Sequence, residues 1–453
     1  MSPLSQAVAR SMERAVADLQ RLCRQPSVSA QGLGITETVA LVREMVAQSG
    51  GRVRVLTDCG GHPVIYAEFD AAPGGSDRTL LYYDHYDVQP PEPVDQWTSP
   101  PFAAQIRDGK LFARGAVDNK GELAVRLTAI RLLRENGGLP CRVKFMIEGE
   151  EEVGSPSIGK LMDRYASLFA ADACIWEFGD VDARGRPQIY GGVKGMAYLQ
   201  LWSRVAKVDM HSAMGAVVES AAWRVVQALA ALKDPSGRIR IDGFYDGVQR
   251  PNMAARLLAA QVPFEGESMR NRLGLTRPFL TDTLEQDPTQ ALCFEPTCTI
   301  CGLEAGYSGS GSKTVLPRQA QAKVDCRLVP GQEPADIFHK VRRHLDQAGY
   351  QDIELELLSE ARAYMTDADD PFVALVRETA REAWGADPVF HPSSAGTGPM
   401  YPIGTALQLP IISTGSGWYG GRAHAPDESI RIADLEKGIL HQVMLLQRFA
   451  RGY

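Results

Sequence analysis

Apolar positions along the first 190 residues follow two alternating spacings. A spacing of three to four residues predicts amphipathic helices, and short continuous apolar runs predict buried strands. The predicted helices cover residues 4–22, 35–49, 121–135 and 156–169. The predicted strands cover residues 52–56, 64–69, 79–83, 143–147 and 173–176. Because strands and helices alternate, we expect this part of the chain to form an α/β domain with a mostly parallel sheet.

The pattern changes near residue 193. Strand-like segments follow at residues 196–203, 298–303, 319–327 and 353–358, and helical segments at 219–232 and 335–348. Strands and helices in this order are typical of an antiparallel, ferredoxin-like α+β domain. We therefore predict an inserted domain at residues 193–365. The first domain would comprise residues 1–192 and 366–453, with returning helices at 372–384 and 436–449.

The length and net charge of the chain bear on the number of domains and on the possible binding partners. At 453 residues the chain exceeds the roughly 250–300 at which a single core stops growing, which favours two domains. A net charge of −7 argues against binding of nucleic acid or of an anionic membrane surface. No window holds the roughly 18 apolar residues that span a bilayer, and the N-terminal segment is amphipathic, unlike a signal peptide. We expect a cytoplasmic protein.

Two local motifs suggest sites that the surrounding sequence does not support. The eight cysteines are scattered, as reduced thiols are, and Cys298 and Cys301 form a CxxC spacing. These two lie in a predicted strand, where residues three apart point to opposite faces, so we do not expect them to share a metal. In the stretch GYSGSGSKT at 306–314, Ser312 separates Gly311 from Lys313, whereas a nucleotide-binding loop has lysine directly after its second conserved glycine, so we do not expect such a loop here.

Residues able to bind metal are concentrated in five stretches. These are His85-Tyr86-Asp87, Asp118 in AVDNKG, the run Glu148 to Glu152 in EGEEE, Glu177, and His424 in GRAHA. Three of the stretches directly follow predicted strands, where ligands of open α/β sheets collect. Adjacent carboxylates repel one another, and a divalent cation would relieve that repulsion.

Each stretch also has an ordinary structural explanation. His85 alone could be a solvated histidine, the EGEEE run a solvated acidic loop, and Asp118 the N-cap of the following helix. Glu177 lies among aromatic residues, where a buried carboxylate needs a partner. The shared placement at strand ends favours a metal centre over these separate explanations.

Seven ordered motifs carry a resemblance to a known family. They are HYDVQPP, ARGAVDNKG, EGEEEVGS, DMHS, SKTVLPR, RLVPGQ and GRAH. With this order and spacing the chain resembles the co-catalytic two-zinc metallopeptidases, which include carnosinase-type dipeptidases, glutamate carboxypeptidase, aminoacylase and succinyl-diaminopimelate desuccinylase. The resemblance covers nearly the whole chain and is strongest to the cytosolic dipeptidase branch. It implies a zinc-peptidase catalytic domain interrupted by a lid and dimerisation domain.

The resemblance assigns five metal ligands. Asp118 would bridge two metals, His85 and Glu177 would complete one site, and Glu152 and His424 the other. This donor set suits Zn²⁺, with Mn²⁺ or Co²⁺ as alternatives. Asp87 would accept the free ring N–H of His85 and so fix its tautomer. Asp84 replaces the Gly or Asn common in the family and would add negative charge near the metals.

The resemblance also assigns catalytic and substrate-binding roles. Glu151 would act as the general base toward a water shared by the metals, and His211 would stabilise the oxyanion, often from the partner subunit. Arg327 would bind the substrate carboxylate as a bidentate fork, with Thr314 and Thr397 nearby.

The expected reaction is hydrolysis of a dipeptide or short peptide next to a free carboxylate, by a homodimer formed through the lid. Alternatives are an N-acyl amino acid deacylase and a non-catalytic metal-binding homologue. A free carboxylate at Glu151 argues against the non-catalytic homologue, because a scaffold has no use for a base beside two metals.

Overall fold

The chain folds into strands and helices whose bounds follow the predicted segments closely. The computed structural model describes residues 3–452; Met1, Ser2 and Tyr453, at the ends of the expected first domain, lie outside that range. The strands are β1 Arg52–Leu56, β2 Val64–Phe69, β3 Thr79–His85, β4 Gln105–Arg107, β5 Lys110–Phe112, β6 Arg142–Glu148, β7 Ala173–Trp176, β8 Gln188–Tyr190, β9 Gly192–Val193, β10 Gly195–Arg204, β11 Met210–His211, β12 Thr299–Ala305, β13 Val315–Leu316, β14 Gln319–Leu328, β15 Glu354–Ala361, β16 Tyr364–Met365, β17 Val389–His391, β18 Ile411–Ser413 and β19 Ser429–Arg431.

The helices include every segment that the apolar spacing predicted. They are α1 Pro3–Arg24, α2 Ile35–Gln48, α3 Lys120–Glu135, α4 Ile158–Phe169, α5 Ala221–Leu232, α6 Met253–Ala260, α7 Gly266–Leu273, α8 Leu280–Leu284, α9 Pro288–Phe294, α10 Pro334–Gln347, α11 Pro371–Trp384, α12 Met400–Leu407 and α13 Ile432–Arg451. Of the helices in the described part of the chain, none combines the length and apolar character that crossing a bilayer requires.

The chain divides into two compact units. Unit 1 comprises the chain up to Gly192, Thr366–Pro392 and the chain from Pro399 onward, and unit 2 comprises Val193–Met365 and Ser393–Gly398. The short segment 393–398 therefore belongs to unit 2, although it follows the point at which the sequence returns to unit 1.

Unit 1 is built on an eight-stranded sheet in the order β1-β2-β6-β3-β7-β18-β8-β17. Its central strands β6, β3, β7 and β18 run parallel, whereas β1, β2 and β6 pair antiparallel at one edge. The expected α/β fold with a mostly parallel sheet is thus confirmed. The central strands of such a sheet carry their carboxyl ends to one edge, where ligands bind.

Helices cover both faces of this sheet. α1, α3, α11 and α13 pack against one another, and α4 packs against α12. All seven residues of β3 are buried, as is typical of a central parallel strand covered on both faces. β3 continues two residues beyond the predicted segment, so that Asp84 and His85 are its last residues. Both polar side chains have charged partners: Asp84 forms a buried ion pair with Arg126, and Nε2 of His85 lies 3.0 Å from Asp118 Oδ1.

Unit 2 has a four-stranded antiparallel sheet in the order β12-β14-β10-β15. With α5 and α10 packed on one face, this is the ferredoxin-like arrangement that the order of segments predicted. Residues of β10 alternate between buried and partly exposed, and Leu199 and Leu201 join Val225 of α5 and Val341 of α10 in the core. The Pro- and Gly-rich stretch after α5 forms the four short helices α6 to α9.

The two cysteines of the CxxC spacing lie in different environments. Cys298, directly before β12, is buried, whereas Cys301 in β12 is exposed. They belong to neither of the groups of potential metal-binding side chains found within residues 3–452.

Candidate metal centre

His85 and Glu177 reach the centre because two parallel strands end side by side. β3 pairs in parallel with both β6 and β7, and His85 lies opposite Glu148 at the end of β6. Glu177 directly follows β7. His85 Nε2 lies 3.5 Å from Glu177 Oε2, and both residues are buried.

Asp118 presents one carboxylate oxygen to each of two histidines. Its Oδ1 lies 3.0 Å from His85 Nε2, and its Oδ2 lies 3.0 Å from His424 Nε2. Asp118 stands in the loop before α3, and His424 lies 306 residues further along the chain. A carboxylate with its two oxygens directed to two separate imidazoles has the geometry of a bridging metal ligand.

The two adjacent glutamates face different neighbours. Both belong to a short 3₁₀ helix, Glu151–Val153, that follows β6. Glu152 Oε2 lies 3.1 Å from His424 Nε2. Ligand atoms of His85, Glu151 and Glu177 lie within 4.8 Å of one another, as do those of His85, Asp118 and Glu152. The structure therefore gathers all five predicted ligands and Glu151 in one place.

Asp87 contacts His85 chiefly through its backbone. The main-chain oxygen of Asp87 lies 3.0 Å from Nδ1 of His85, and its carboxylate Oδ1 lies 3.4 Å away. The carboxylate Oδ2 accepts a hydrogen bond of 3.1 Å from the backbone N–H of Glu152. Asp87 thus orients the His85 ring and the Glu152 backbone together.

Two amide side chains also order the centre. Asn119 Nδ2 donates to the main-chain oxygen of Glu177 at 2.7 Å, and its Oδ1 accepts from the backbone N–H of His85 at 3.3 Å. Gln89 Nε2 donates to Glu152 Oε2 at 2.9 Å. The peptide bond between Asp118 and Asn119 is cis.

Asp84 does not add free negative charge to the centre, contrary to the expectation. Its carboxylate forms a fully buried ion pair with Arg126, at 2.8 Å. Arg126 also donates to the main-chain oxygens of Tyr83 and Trp176. Tyr83 directly precedes Asp84 in β3, and Trp176 directly precedes Glu177 at the end of β7. The buried guanidinium group of Arg126 therefore neutralises Asp84 and holds the ends of the two strands together.

Burial and mutual repulsion shift the titration of the clustered acids. Burial raises the pKa of Glu151 to about 8, and the charges of Asp118 and Glu152 add to that effect. Burial, followed by the charge of Glu151, raises the pKa of Glu177 well above its usual range. Burial opposes ionisation of Asp118 as well, but hydrogen bonds from His424 and His85 outweigh it and lower the pKa of Asp118.

The donor set fits divalent cations. Hydrogen bonds to Asp118 and Glu152 raise the pKa of His424 to about 10. Glu177 Oε2 and Asp87 Oδ1 are buried and have no hydrogen-bond partner among the described residues. A carboxylate oxygen buried in this way requires a compensating positive charge. Two imidazoles and four carboxylates around one point can hold two such charges.

The residues predicted in unit 2 form two pairs. Thr314 Oγ1 lies 3.5 Å from Nε2 of His211, and both side chains are exposed. Arg327 Nη1 donates to Thr397 Oγ1 at 2.7 Å, and its Nε donates to Asp325 Oδ2 at 3.0 Å. Thr397 stands in the 393–398 segment that belongs to unit 2.

Sequence reasoning missed Glu428. This fully buried carboxylate receives backbone N–H groups from the loop that carries Asp118 and a guanidinium group from Arg114. Its position four residues after His424, at the start of the stretch ESIRI in which Ile430 and Ile432 alternate with polar residues, was the available signal. An acidic residue in such a setting needs a buried partner.

A parallel-sheet α/β unit that gathers histidines and carboxylates beyond its strand ends has the architecture of a metallohydrolase. The model of "Peptidase family M20/M25/M40" matches residues 81–448, and the chain belongs to this metallopeptidase family. The expected family is confirmed.

Relatives within this family include peptidases of several specificities. The chain is 28% identical over 335 residues to Beta-Ala-His dipeptidase of Homo sapiens, covering 72% of this chain and 65% of that protein. It is 26% identical over 403 residues to Cys-Gly metallodipeptidase DUG1 of Saccharomyces cerevisiae, covering 86% and 82%. The crystal structure of the M20 family metallo-carboxypeptidase Sso-CP2 from Sulfolobus solfataricus superimposes with a TM-score of 0.88 at 35% identity, covering 96% and 99%. The chain spans about two thirds of the length of the human Beta-Ala-His dipeptidase.

Proposed function

We propose that this protein is a metal-dependent dipeptidase that cleaves an amide bond next to a free carboxylate. The observation that carries the proposal is the position of Asp118, whose two carboxylate oxygens each lie 3.0 Å from a different histidine. A ligand atom of Glu151 lies within 4.8 Å of those of His85 and Glu177. The dipeptidases among its relatives support the same reaction.

Five side chains would hold two divalent cations, which we propose to be Zn²⁺. His85 and Glu177 would bind one cation, Glu152 and His424 the other, and Asp118 both. The cations, when bound, polarise the scissile carbonyl and acidify a water molecule. Histidine nitrogens with carboxylate oxygens suit Zn²⁺, and Mn²⁺ and Co²⁺ accept the same donors.

Glu151 would move the proton. The ligand atoms of Glu151, His85 and Glu177 lie within 4.8 Å of one another, so the Glu151 carboxylate would be placed to accept a proton from the water that the cations acidify. The protonated carboxyl can then deliver that proton to the departing amine. The contacts described above hold His85 and Asp118 in place without using the carboxyl group of Glu151. That carboxyl group therefore remains free to transfer the proton.

Arg327 would bind the free carboxylate of the substrate. Thr397 and Asp325 fix the guanidinium group through Nη1 and Nε, and 31% of the side chain remains exposed. A fixed, exposed guanidinium fork suits a carboxylate better than a single ammonium group does. Thr314 and His211 would assist substrate binding and oxyanion stabilisation.

We propose that unit 2 forms a homodimer. β12 is an edge strand, and Ile300 and Leu303 on it are each 53% exposed. Edge strands with exposed apolar residues pair readily with another copy. Sedimentation velocity of the wild type and of an Ile300→Lys variant tests this: the wild type should sediment as a dimer, and the variant should shift toward the monomer. The cytoplasmic location stays a prediction.

A substrate panel tests the reaction. The purified protein is loaded with Zn²⁺, Mn²⁺ or Co²⁺ and offered dipeptides, tetrapeptides and N-acyl amino acids, with and without excess chelator. Hydrolysis of dipeptides that stops in chelator is the expected result. Activity that persists in chelator would contradict the metal-dependent reaction.

Removal of C-terminal residues from longer peptides is a second candidate, because the 35%-identical relative Sso-CP2 is a metallo-carboxypeptidase. Faster hydrolysis of tetrapeptides than of dipeptides would favour it. Exclusive hydrolysis of N-acyl amino acids would favour the deacylase.

A further inference from the structure

Glu428 lies at the meeting point of the loops that form the candidate metal centre. Its side chain is fully buried. Oε1 accepts backbone N–H groups of Val117 at 3.0 Å and Asp118 at 3.2 Å. Oε2 accepts the backbone N–H of Gly115 at 3.0 Å and Nη1 of Arg114 at 2.8 Å. One carboxylate therefore satisfies four donors of the segment that ends at the bridging aspartate.

The same residue fixes the loop that carries His424. That loop contains non-glycine residues in the left-handed region, with φ of 61° at His424 and 59° at Asp427. Such backbone conformations persist where surrounding contacts impose them. Asp427 is held by Thr98, whose backbone N–H and hydroxyl donate to its carboxylate at 3.0 and 2.7 Å. Glu428, the next residue, fastens this loop to the Asp118 loop.

Arg114 extends the connection to a third loop. Besides Glu428, it donates through Nη2 to the main-chain oxygen of Pro90 at 3.1 Å. Pro90 directly follows Gln89, whose side-chain amide donates to the carboxylate of Glu152. The pair of Glu428 and Arg114 thus connects the Asp118 and His424 loops to the segment after His85, whose Gln89 contacts Glu152.

We propose that Glu428 is a positioning residue that sets the metal affinity of the centre by holding the Asp118 and His424 loops in their binding geometry. The inference rests on the proposed metal-dependent function. Groups that orient metal ligands through hydrogen bonds typically change metal affinity about 10- to 100-fold when they are removed.

A carboxylate is required at this position because both of its oxygens face donors only. Glutamine has the same shape but would direct an NH₂ group at the backbone N–H groups or at the guanidinium of Arg114, so two donors would lose their acceptor. Aspartate keeps both acceptor oxygens on a side chain shorter by one methylene. Glu428→Gln should therefore be more damaging than Glu428→Asp.

The experiment measures Zn²⁺ dissociation constants by competition with a fluorescent chelator, beside kcat, KM and melting temperature. Glu428→Gln should bind Zn²⁺ at least about tenfold more weakly, lower kcat more than it raises KM, and be partly rescued in Glu428→Asp. The matched control is Asp18→Asn, which breaks a mostly buried ion pair with Arg131 of 2.7 Å in the same unit, away from the metal-binding groups. The control should lose stability and keep wild-type affinity.

Two outcomes would overturn the proposal. One is wild-type Zn²⁺ affinity in a Glu428→Gln protein that only melts earlier, as a purely structural role requires. If Glu428→Gln does not fold, Arg114→Lys replaces it, because lysine has one donor nitrogen where Arg114 uses Nη1 for Glu428 and Nη2 for Pro90. Several-fold weaker affinity supports the proposal and unchanged affinity overturns it. A wild type that binds Zn²⁺ but hydrolyses no dipeptide would refute the proposed reaction and leave the affinity comparison intact.

Discussion

The main-chain oxygen of Asp87 lies 3.0 Å from Nδ1 of His85, closer than the carboxylate of the same residue at 3.4 Å. A backbone carbonyl accepts a hydrogen bond and cannot donate one, so it selects the tautomer of His85 that carries its proton on Nδ1. In the neutral ring, Nε2 then carries the lone pair with which His85 would bind a cation beside Asp118 and Glu177. The backbone of Asp87 would therefore prepare His85 to bind a cation, and the carboxylate would reinforce this.

Asp87→Asn should consequently lower kcat only about tenfold, at the lower end of the usual range for such supporting groups. The backbone carbonyl remains, and the Asn side-chain oxygen can still accept from Glu152 N–H. Steady-state kinetics of the Zn²⁺-loaded variant would measure this. If kcat fell as far as in Glu151→Gln, the carboxylate of Asp87 would have to take part in proton transfer itself.

Glu151→Gln should bind both metals and lose kcat by about 10²- to 10⁴-fold, the usual contribution of a general base. Glutamine keeps the size of the side chain but has no basic oxygen. Metal content by mass spectrometry and steady-state kinetics on the same sample separate the two effects. Glu150→Gln, a neighbouring acid of the same EGEEE run, is the matched control and should keep most of its activity.

Retained kcat in Glu151→Gln would transfer the role of base to another group. Loss of metal from that variant would instead make Glu151 a ligand. The two results are distinguishable because metal content is measured independently of turnover.

The sequence predicted the parts of this fold that depend on local pattern. Strand β3 was expected from the apolar run TLLYY, and its parallel neighbours from the alternation of strands and helices. Its last residues, Asp84 and His85, were placed outside the strand because polar side chains usually end a buried run. They continue it here because Arg126 and Asp118 satisfy them. Those partners lie 42 and 33 residues away, beyond the reach of a local pattern.

The residues of the candidate metal centre were predicted in two different ways. His85, Glu152 and Glu177 were gathered by the rule that strand ends share one edge of a sheet, and Asp118 and His424 by the family motifs. Glu428 was missed because its four donors lie more than 300 residues earlier in the chain. Only the fold reveals such a contact, since an isolated acid in a sequence reads as an ordinary surface residue.

Arg327→Ala should reduce kcat/KM roughly tenfold to 100-fold for dipeptides with a free carboxylate, because a charge-assisted hydrogen bond contributes about 1.5–3 kcal/mol. C-terminally amidated dipeptides should be poor substrates of the wild type and should lose little more in the variant. Steady-state kinetics on matched acid and amide substrates would measure this.

Thr397→Val is a control for that experiment in which a smaller loss of activity is expected. It removes the hydroxyl that fixes Nη1 of Arg327 but keeps the guanidinium group, so the loss should be smaller. Equal losses on acid and amide substrates in Arg327→Ala would exclude carboxylate binding by this side chain.

His441 gives the stability of the fold a pH dependence of its own. It is buried in α13, with Nε2 3.2 Å from Thr379 Oγ1, and burial lowers its pKa from 6.5 to about 4. The folded protein therefore keeps His441 neutral over a pH range in which the unfolded chain binds a proton. Stability from this group is complete above pH 6.5 and is lost as the pH falls toward 4.

The loss should reach about 3 kcal/mol at most, since each pKa unit corresponds to about 1.4 kcal/mol. Urea unfolding followed by tryptophan fluorescence at pH 7 and pH 5 would measure the slope. His441→Gln, which cannot acquire the charge, should lose less stability over this interval than the wild type, whatever its stability at pH 7. The exposed His339→Gln is the control and should keep the wild-type slope. Because all three proteins retain the candidate metal ligands, release of metal by acid affects them equally. An unchanged slope in His441→Gln would show that this histidine titrates normally in the folded chain.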